Sequence, residues 1–112
     1  MSCIFCRIVA GELPAQKVLE DEHVMAFRDI QAQAPTHVLV VPRVHVGRLD
    51  ELEDPELAGK LLLAAGRVAR EEGLAEGWRL IVNSGDHGGQ EVHHVHLHVV
   101  GGRRLGPMLA RS

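Results

Sequence analysis

A chain of 112 residues, 46% of them apolar, is the size of one domain spanning 1–112 with a single core. Two Phe, one Trp and no Tyr leave that core to Val, Leu, Ile and Ala. A formal charge of −3, from 12 basic and 15 acidic residues, is not the strongly basic balance of a nucleic-acid binder. No apolar stretch reaches the roughly 18 residues of a membrane-spanning helix. The opening Met1 to Arg7 lacks the basic and apolar regions of a signal peptide. A cytoplasmic protein is expected, with Cys3 and Cys6 reduced or metal-bound rather than paired.

In chain order, residues 3–10 read as a short helix ended by Gly11 and Pro14. Lys17 to Asp21 and Val24 to Phe27 read as strands joined by a polar link, and Asp29 to Pro35 as a loop. His37 to Val41 is a β-branched-rich strand closed by Pro42. The main helix is expected over 55–72. Asp54 is its N-cap, Pro55 its first residue, and Gly73 its stop. Leu57, Leu61, Ala64, Ala65 and Val68 form its apolar stripe. Trp78 to Val82 is a strand, Asn83 to Gly89 a turn-rich loop, and Val92 to Val100 the last strand. Strands, one main helix and strands again, without βαβ alternation, give an α+β domain with a mostly antiparallel sheet. The order of strands in the sheet does not follow from the pattern.

Eight histidines are unusual for this length, and five (His87, His93, His94, His96, His98) fall within twelve residues. On one strand, His94, His96 and His98 project to one side and Val95, Leu97 and Val99 to the other. The imidazoles would then stand roughly 6.5–7 Å apart, a spacing a phosphate can bridge. A neutral imidazole is a competent nucleophile at pH 7, and a neighbouring imidazolium is a donor for developing phosphate charge. The alternatives are an exposed polar strand face and a metal site, which three ligands on one extended strand suit poorly. Gly85, Gly88 and Gly89 let backbone N–H groups approach an anion, with Asn83 placed to orient it; a plain hairpin loop is the alternative. This reading needs the central ring on the wet side of the sheet. A ring that is buried, turned toward the helix or held by a metal would count against it.

His94-Val95-His96-Leu97-His98-Val99-Val100 resembles the alternating signature of the histidine triad superfamily. Asp29 to His37, Val82 to Gly85, Gly88 to Gln90 and Gly101 to Arg103 look like its branch of histidine triad nucleotide-binding proteins. The likeness runs from about Ile4 to Arg103. It implies a five-stranded antiparallel sheet with one main helix and a short N-terminal helix, in a homodimer whose sheets join. It implies hydrolysis of purine nucleoside phosphoramidates, with adenosine monophosphoramidate and aminoacyl-linked AMP as typical substrates, His96 forming a nucleotidyl-histidine, His98 on the phosphate, and His94 completing the triad. Ile4, Phe5, Ile8, Phe27 and Leu39 would surround the base, with Asp29 and Ile30 at the ribose. Asn83, Gly89 and Glu91 would lie at the phosphate. No cofactor is implied for catalysis. Some members bind structural zinc at positions matching Cys3, Cys6, His45 and His94, a donor set suited to tetrahedral zinc.

There are departures. Glu91 and His93 stand where Ser and Tyr are common, and Leu105-Gly106-Pro107-Met108 replaces an aromatic C-terminal segment. These leave the leaving-group preference open. Competing functions are dinucleoside polyphosphate hydrolysis or phosphorolysis, and a non-catalytic nucleotide- or zinc-binding interaction protein.

Overall fold

The computed structural model describes residues 3–110. Helix α1 (Ile4–Val9) precedes strands β1 (Lys17–Glu20), β2 (Val24–Arg28) and β3 (Thr36–Pro42). Helix α2 (Pro55–Glu71), β4 (Trp78–Val82) and β5 (Leu97–Gly101) follow. The five strands form one antiparallel sheet in the order β1-β2-β3-β5-β4. The α+β class and the five-stranded sheet with one main and one short helix agree with the sequence.

The sheet is apolar on both faces because its central strands have no polar alternation. Val24 and Ala26 of β2, Val38 and Val40 of β3, and Leu97 and Val99 of β5 face α2. That helix buries Leu57, Leu61, Ala64, Ala65, Val68 and Ala69, the expected stripe plus one alanine. Its Asp54 cap accepts hydrogen bonds from the N–H groups of Glu56 (3.0 Å) and Leu57 (3.3 Å), which satisfies two of the orphan donors of the first turn. The alternate residues, Met25, Phe27, Leu39 and Val41, face away from α2 and are covered by Phe5 and Ile8 of α1. The site lies on this second face.

One expectation needs correction. The last strand begins at Leu97, not Val92. Val40 is the last β3 residue paired with β5, and two residues on, Pro42 has no N–H to extend the ladder. The preceding segment therefore pairs elsewhere: the Val95 N–H donates to the Val46 carbonyl at 2.7 Å, and the His94 N–H to Val92 at 2.9 Å. A 3₁₀ turn at Leu49–Glu51, unanticipated, precedes α2.

Candidate active site

His94 and His96 thus lie on the irregular approach to β5, and His98 on β5 itself. The rings of His96 and His98 meet edge-on with centroids 4.9 Å apart. That is closer than the residue spacing along an extended strand, because the rings tilt together. His96 is buried, 6% exposed, under the edge of the Phe5 ring at 5.1 Å. The expectation of a ring standing in open water is therefore corrected.

What nucleophilic attack needs is a free nitrogen. The Nδ1–H of His96 donates to the His94 carbonyl at 2.8 Å, so the lone pair sits on Nε2. Nε2 has no hydrogen-bond partner among the described residues, and no buried side-chain nitrogen or oxygen there lacks one. Nε2 therefore reaches solvent.

The ring of His94 is fully buried and points elsewhere. Its Nε2–H donates to the Pro42 carbonyl at 2.8 Å. Its Nδ1 faces Cys3 Sγ at 3.4 Å and Cys6 Sγ at 3.5 Å, and His45 Nδ1 lies 3.3 Å from Cys6 Sγ. It is the carbonyl of His94, not its ring, that serves His96. The donor atoms of Cys3, Cys6, His45 and His94 all lie within 4.8 Å of one another, although the four residues come from three separated segments. Burial and the neighbouring Cys3 sulfur push the Cys6 thiol up from its ordinary value.

A second histidine network was missed in the sequence. The Gln33 N–H donates to His37 Nδ1 at 3.0 Å, so neutral His37 carries its proton on Nε2. That proton is directed to His98 Nδ1 at 2.9 Å, which leaves the His98 proton on Nε2. Asp29 Oδ2 lies 3.4 Å from His37 Nε2, while its Oδ1 caps the turn by accepting from the Gln31 N–H at 2.9 Å. His98 is pushed down to about 4, chiefly by burial and then by His96 and His37, with Asp29 opposing. It is therefore neutral at pH 7, a hydrogen-bond donor rather than a cation. The available signal was a histidine at the head of an otherwise apolar strand.

Stability should follow these protons. An unfolded histidine titrates near 6.5, so between about 4 and 6.5 the unfolded chain binds more protons than the fold. The contribution is complete above about pH 6.5 and is lost as pH falls toward 4; burial shifts His37 in the same direction. Thermal midpoints should drop across this window and drop less in His98→Asn. A midpoint independent of pH from 7 to 4 would contradict the buried neutral network.

The remaining candidates divide by burial. Phe5, Ile8, Phe27 and Leu39 form one buried cluster, whereas Ile4 is 49% and Ile30 98% exposed. Asn83 donates from Nδ2 to the Gly88 carbonyl at 2.7 Å. Gly89 is exposed at φ +80°, and Glu91 is exposed. Gly88 packs so tightly that a Cβ would fall 2.3 Å from the Ser84 carbonyl oxygen. Buried Gln90 pins this loop, accepting from the Gly85 N–H at 2.9 Å and donating to Gly47 (2.6 Å) and Val92 (3.0 Å) carbonyls.

A family model for the HIT domain matches residues 10–105. The chain belongs to the HIT domain family. It is 46% identical to a purine nucleoside phosphoramidase of Escherichia coli (strain K12), over 97% of this chain and 94% of that one. It is 49% identical to an uncharacterized 13.2 kDa HIT-like protein of Azospirillum brasilense, over 97% and 93%. Among solved structures, a HIT family hydrolase from Legionella pneumophila Philadelphia 1 superposes with TM-score 0.91 at 45% identity, covering 94% of this chain and 96% of that one. A histidine triad protein from Clostridium difficile gives 0.91 at 40%, covering 97% of each. Among the described residues no helix of this HIT domain is long and apolar enough to cross a membrane.

Proposed function

We propose that this HIT protein hydrolyses purine nucleoside phosphoramidates through a nucleotidyl-histidine on His96. The observation that carries the reading is the ring's hydrogen bonding: Nδ1–H is tied to the His94 carbonyl, and Nε2 is left free beside a neutral His98. The Nε2 lone pair attacks phosphorus as the P–N bond breaks. The nitrogen leaves with the bonding pair and takes a proton from solvent. Water then attacks the nucleotidyl-histidine, returns a proton and frees the nucleoside monophosphate. His98 donates its Nε2–H to a phosphoryl oxygen as charge develops there, with orientation set in advance by His37. Asn83 and the glycine loop flank the phosphate, with Gly89 and Glu91 at its open side. Phe5, Ile8, Phe27 and Leu39 support the base, with Ile4 at its rim. Asp29, beside exposed Ile30, offers its carboxylate to the ribose hydroxyls. The kinship with a purine nucleoside phosphoramidase supports the same reading.

Intact-mass measurement on rapid mixing with adenosine phosphoramidate tests it. One adenylyl group should appear on the chain, and turnover without any adduct, under trapping conditions, would remove the intermediate.

The proposal includes a structural zinc and a homodimer. Two sulfurs and two imidazole nitrogens gathered as observed fit tetrahedral zinc by donor chemistry. The His94 Nε2–H on a backbone carbonyl is the outer bond such a ligand usually makes. Zinc there supplies rigidity and no step of the reaction. Metal analysis after mild purification should find one zinc per chain, lost in Cys3→Ser; substoichiometric zinc indifferent to that substitution would reject the site. The dimer forms along the sheet edge at β4, a strand paired on one side with β5 and exposing Trp78 and Ile81, and it draws on exposed Leu62 and Leu63 of α2.

A further inference from the structure

Outside the triad, the densest group of reactive side chains lies at the start of α1. Cys3 is the N-cap of that helix and Cys6 its third residue, and the Cys3 sulfur accepts the Cys6 N–H at 3.4 Å. Residues three apart at a helix start have Cα atoms about 5 Å apart, inside the window of about 4.4–6.8 Å that a disulfide spans. The two sulfurs already lie within 4.8 Å of each other. Rotation of the two side chains therefore suffices to join them, with the helix backbone left in place. Both are partly exposed, and they are the chain's only cysteines, so no other pairing within the chain competes.

What the thiols do in the reduced chain decides what a bond between them undoes. The His94 ring is fully buried, and its Nε2–H is committed to the Pro42 carbonyl at 2.8 Å. Its Nδ1 is therefore an acceptor, and its partners among the described residues are Cys3 Sγ at 3.4 Å and Cys6 Sγ at 3.5 Å. A thiol gives that lone pair a proton; a disulfide has none to give. Closing the bond leaves a buried nitrogen unpaired, and water reaches it only if α1 lifts. A zinc ion held by this cluster leaves in the same step, because two of its four donors are consumed. The new bond is no replacement tether, since it joins α1 only to its own cap.

We propose that Cys3 and Cys6 are a site of reversible oxidation, and that their disulfide frees the start of α1 from His94. The oxidant is a small-molecule disulfide such as oxidised glutathione. One cysteine sulfur displaces the first glutathione thiol, and the other cysteine sulfur then displaces the second. One S–S bond breaks in the oxidant and one forms in the protein. Both thiol protons and two electrons pass to glutathione. The consequence reaches the histidines through Phe5. Its ring, carried by α1, lies against His94 at 5.9 Å and His96 at 5.1 Å, and it belongs to the apolar cluster assigned to the base. Without the thiol anchor, Phe5 and Ile8 are the only buried side chains left to dock a six-residue helix. The effect on turnover rests on the phosphoramidase reading; the disulfide and the release of α1 do not.

Metal-free and zinc-loaded protein, each equilibrated with oxidised glutathione, test the site. After denaturing alkylation, intact mass should show an internal disulfide carrying no alkyl group and no glutathione. Dithiothreitol should restore two alkylated thiols. Zinc-loaded protein should release one zinc per disulfide to a chromogenic chelator, and the metal-free arm decides the site where no zinc binds. Amide hydrogen exchange across residues 4–9 should quicken about tenfold on oxidation, the scale of one lost hydrogen bond. The kcat/KM for adenosine phosphoramidate should fall by a similar factor. The double variant Cys3→Ser, Cys6→Ser, compared with and without oxidant, should show neither change. Glutathione adducts without an internal bond would overturn the site. A disulfide that leaves exchange in α1 unchanged would overturn the release of the helix. Absence of turnover in the reduced protein removes the phosphoramidase reading alone, because mass and exchange still test the oxidation.

Discussion

His96→Ala is expected to lose turnover of adenosine phosphoramidate by on the order of 10⁴-fold or more, the scale on which removal of a covalent nucleophile acts. The adenylyl adduct should vanish with it. Neither neighbouring histidine of the triad is placed to substitute. His94 has both ring nitrogens engaged, Nε2 with the Pro42 carbonyl and Nδ1 facing the two sulfurs. His98 has its Nδ1 lone pair occupied by His37 and presents a proton, not a lone pair, at Nε2. The substitution also costs some stability, because the ring is 6% exposed and touches Phe5; about 1–2 kcal/mol is expected. A folding control by urea titration separates the two effects. A variant that stays folded and still turns over at the wild-type rate, as His96→Ala or His96→Gly, would remove His96 from the mechanism.

How much of this could be read from the chain depends on the range of the interaction that fixes each part. Helix α2 was legible from its ends and its stripe, because an Asp-Pro start, a Gly stop and a 3.6-residue period are all local. The alternation of Val38 and Val40 against Leu39 and Val41 was equally legible once the segment read as a strand. The start of β5 was not, because its partners at that point, Val40 and Val82, lie in other segments, one of them more than fifty residues earlier. The triad was visible as a pattern, yet its spacing was read from an ideal strand that His94 and His96 do not occupy. His37 escaped notice for a related reason. Its role exists only through Gln33, Asp29 and His98, and its one local signal, a histidine heading an apolar strand, does not name those partners. Gln90 has the same character: one side chain ties together Gly85, Gly47 and Val92. The proposed zinc ligands came from resemblance alone, since Cys3-x-x-Cys6 by itself does not select His45 and His94.

Phe5→Ala should be the most destabilising single change on the histidine face. Its ring is 6% exposed and meets Phe27 at 5.5 Å, His94 at 5.9 Å and His96 at 5.1 Å, all edge-on. Truncating a buried phenylalanine costs about 3–5 kcal/mol, a large share of the 5–15 kcal/mol typical of a domain. Helix α1 has only six residues and buries just Phe5 and Ile8, too few for it to persist without tertiary anchors. Its other anchor is the cysteine pair at its start, Cys3 capping the Cys6 N–H at 3.4 Å and both sulfurs facing His94. The two anchors therefore share the load of holding α1 over His96. Urea unfolding should show this loss in metal-free protein and a larger one with saturating zinc, because a loosened α1 weakens zinc binding and forfeits part of the stability that zinc adds by mass action. A loss under about 1 kcal/mol without metal would mean that α1 does not depend on this ring. An equal loss with and without zinc would mean that the thiol–histidine cluster does not help hold the helix.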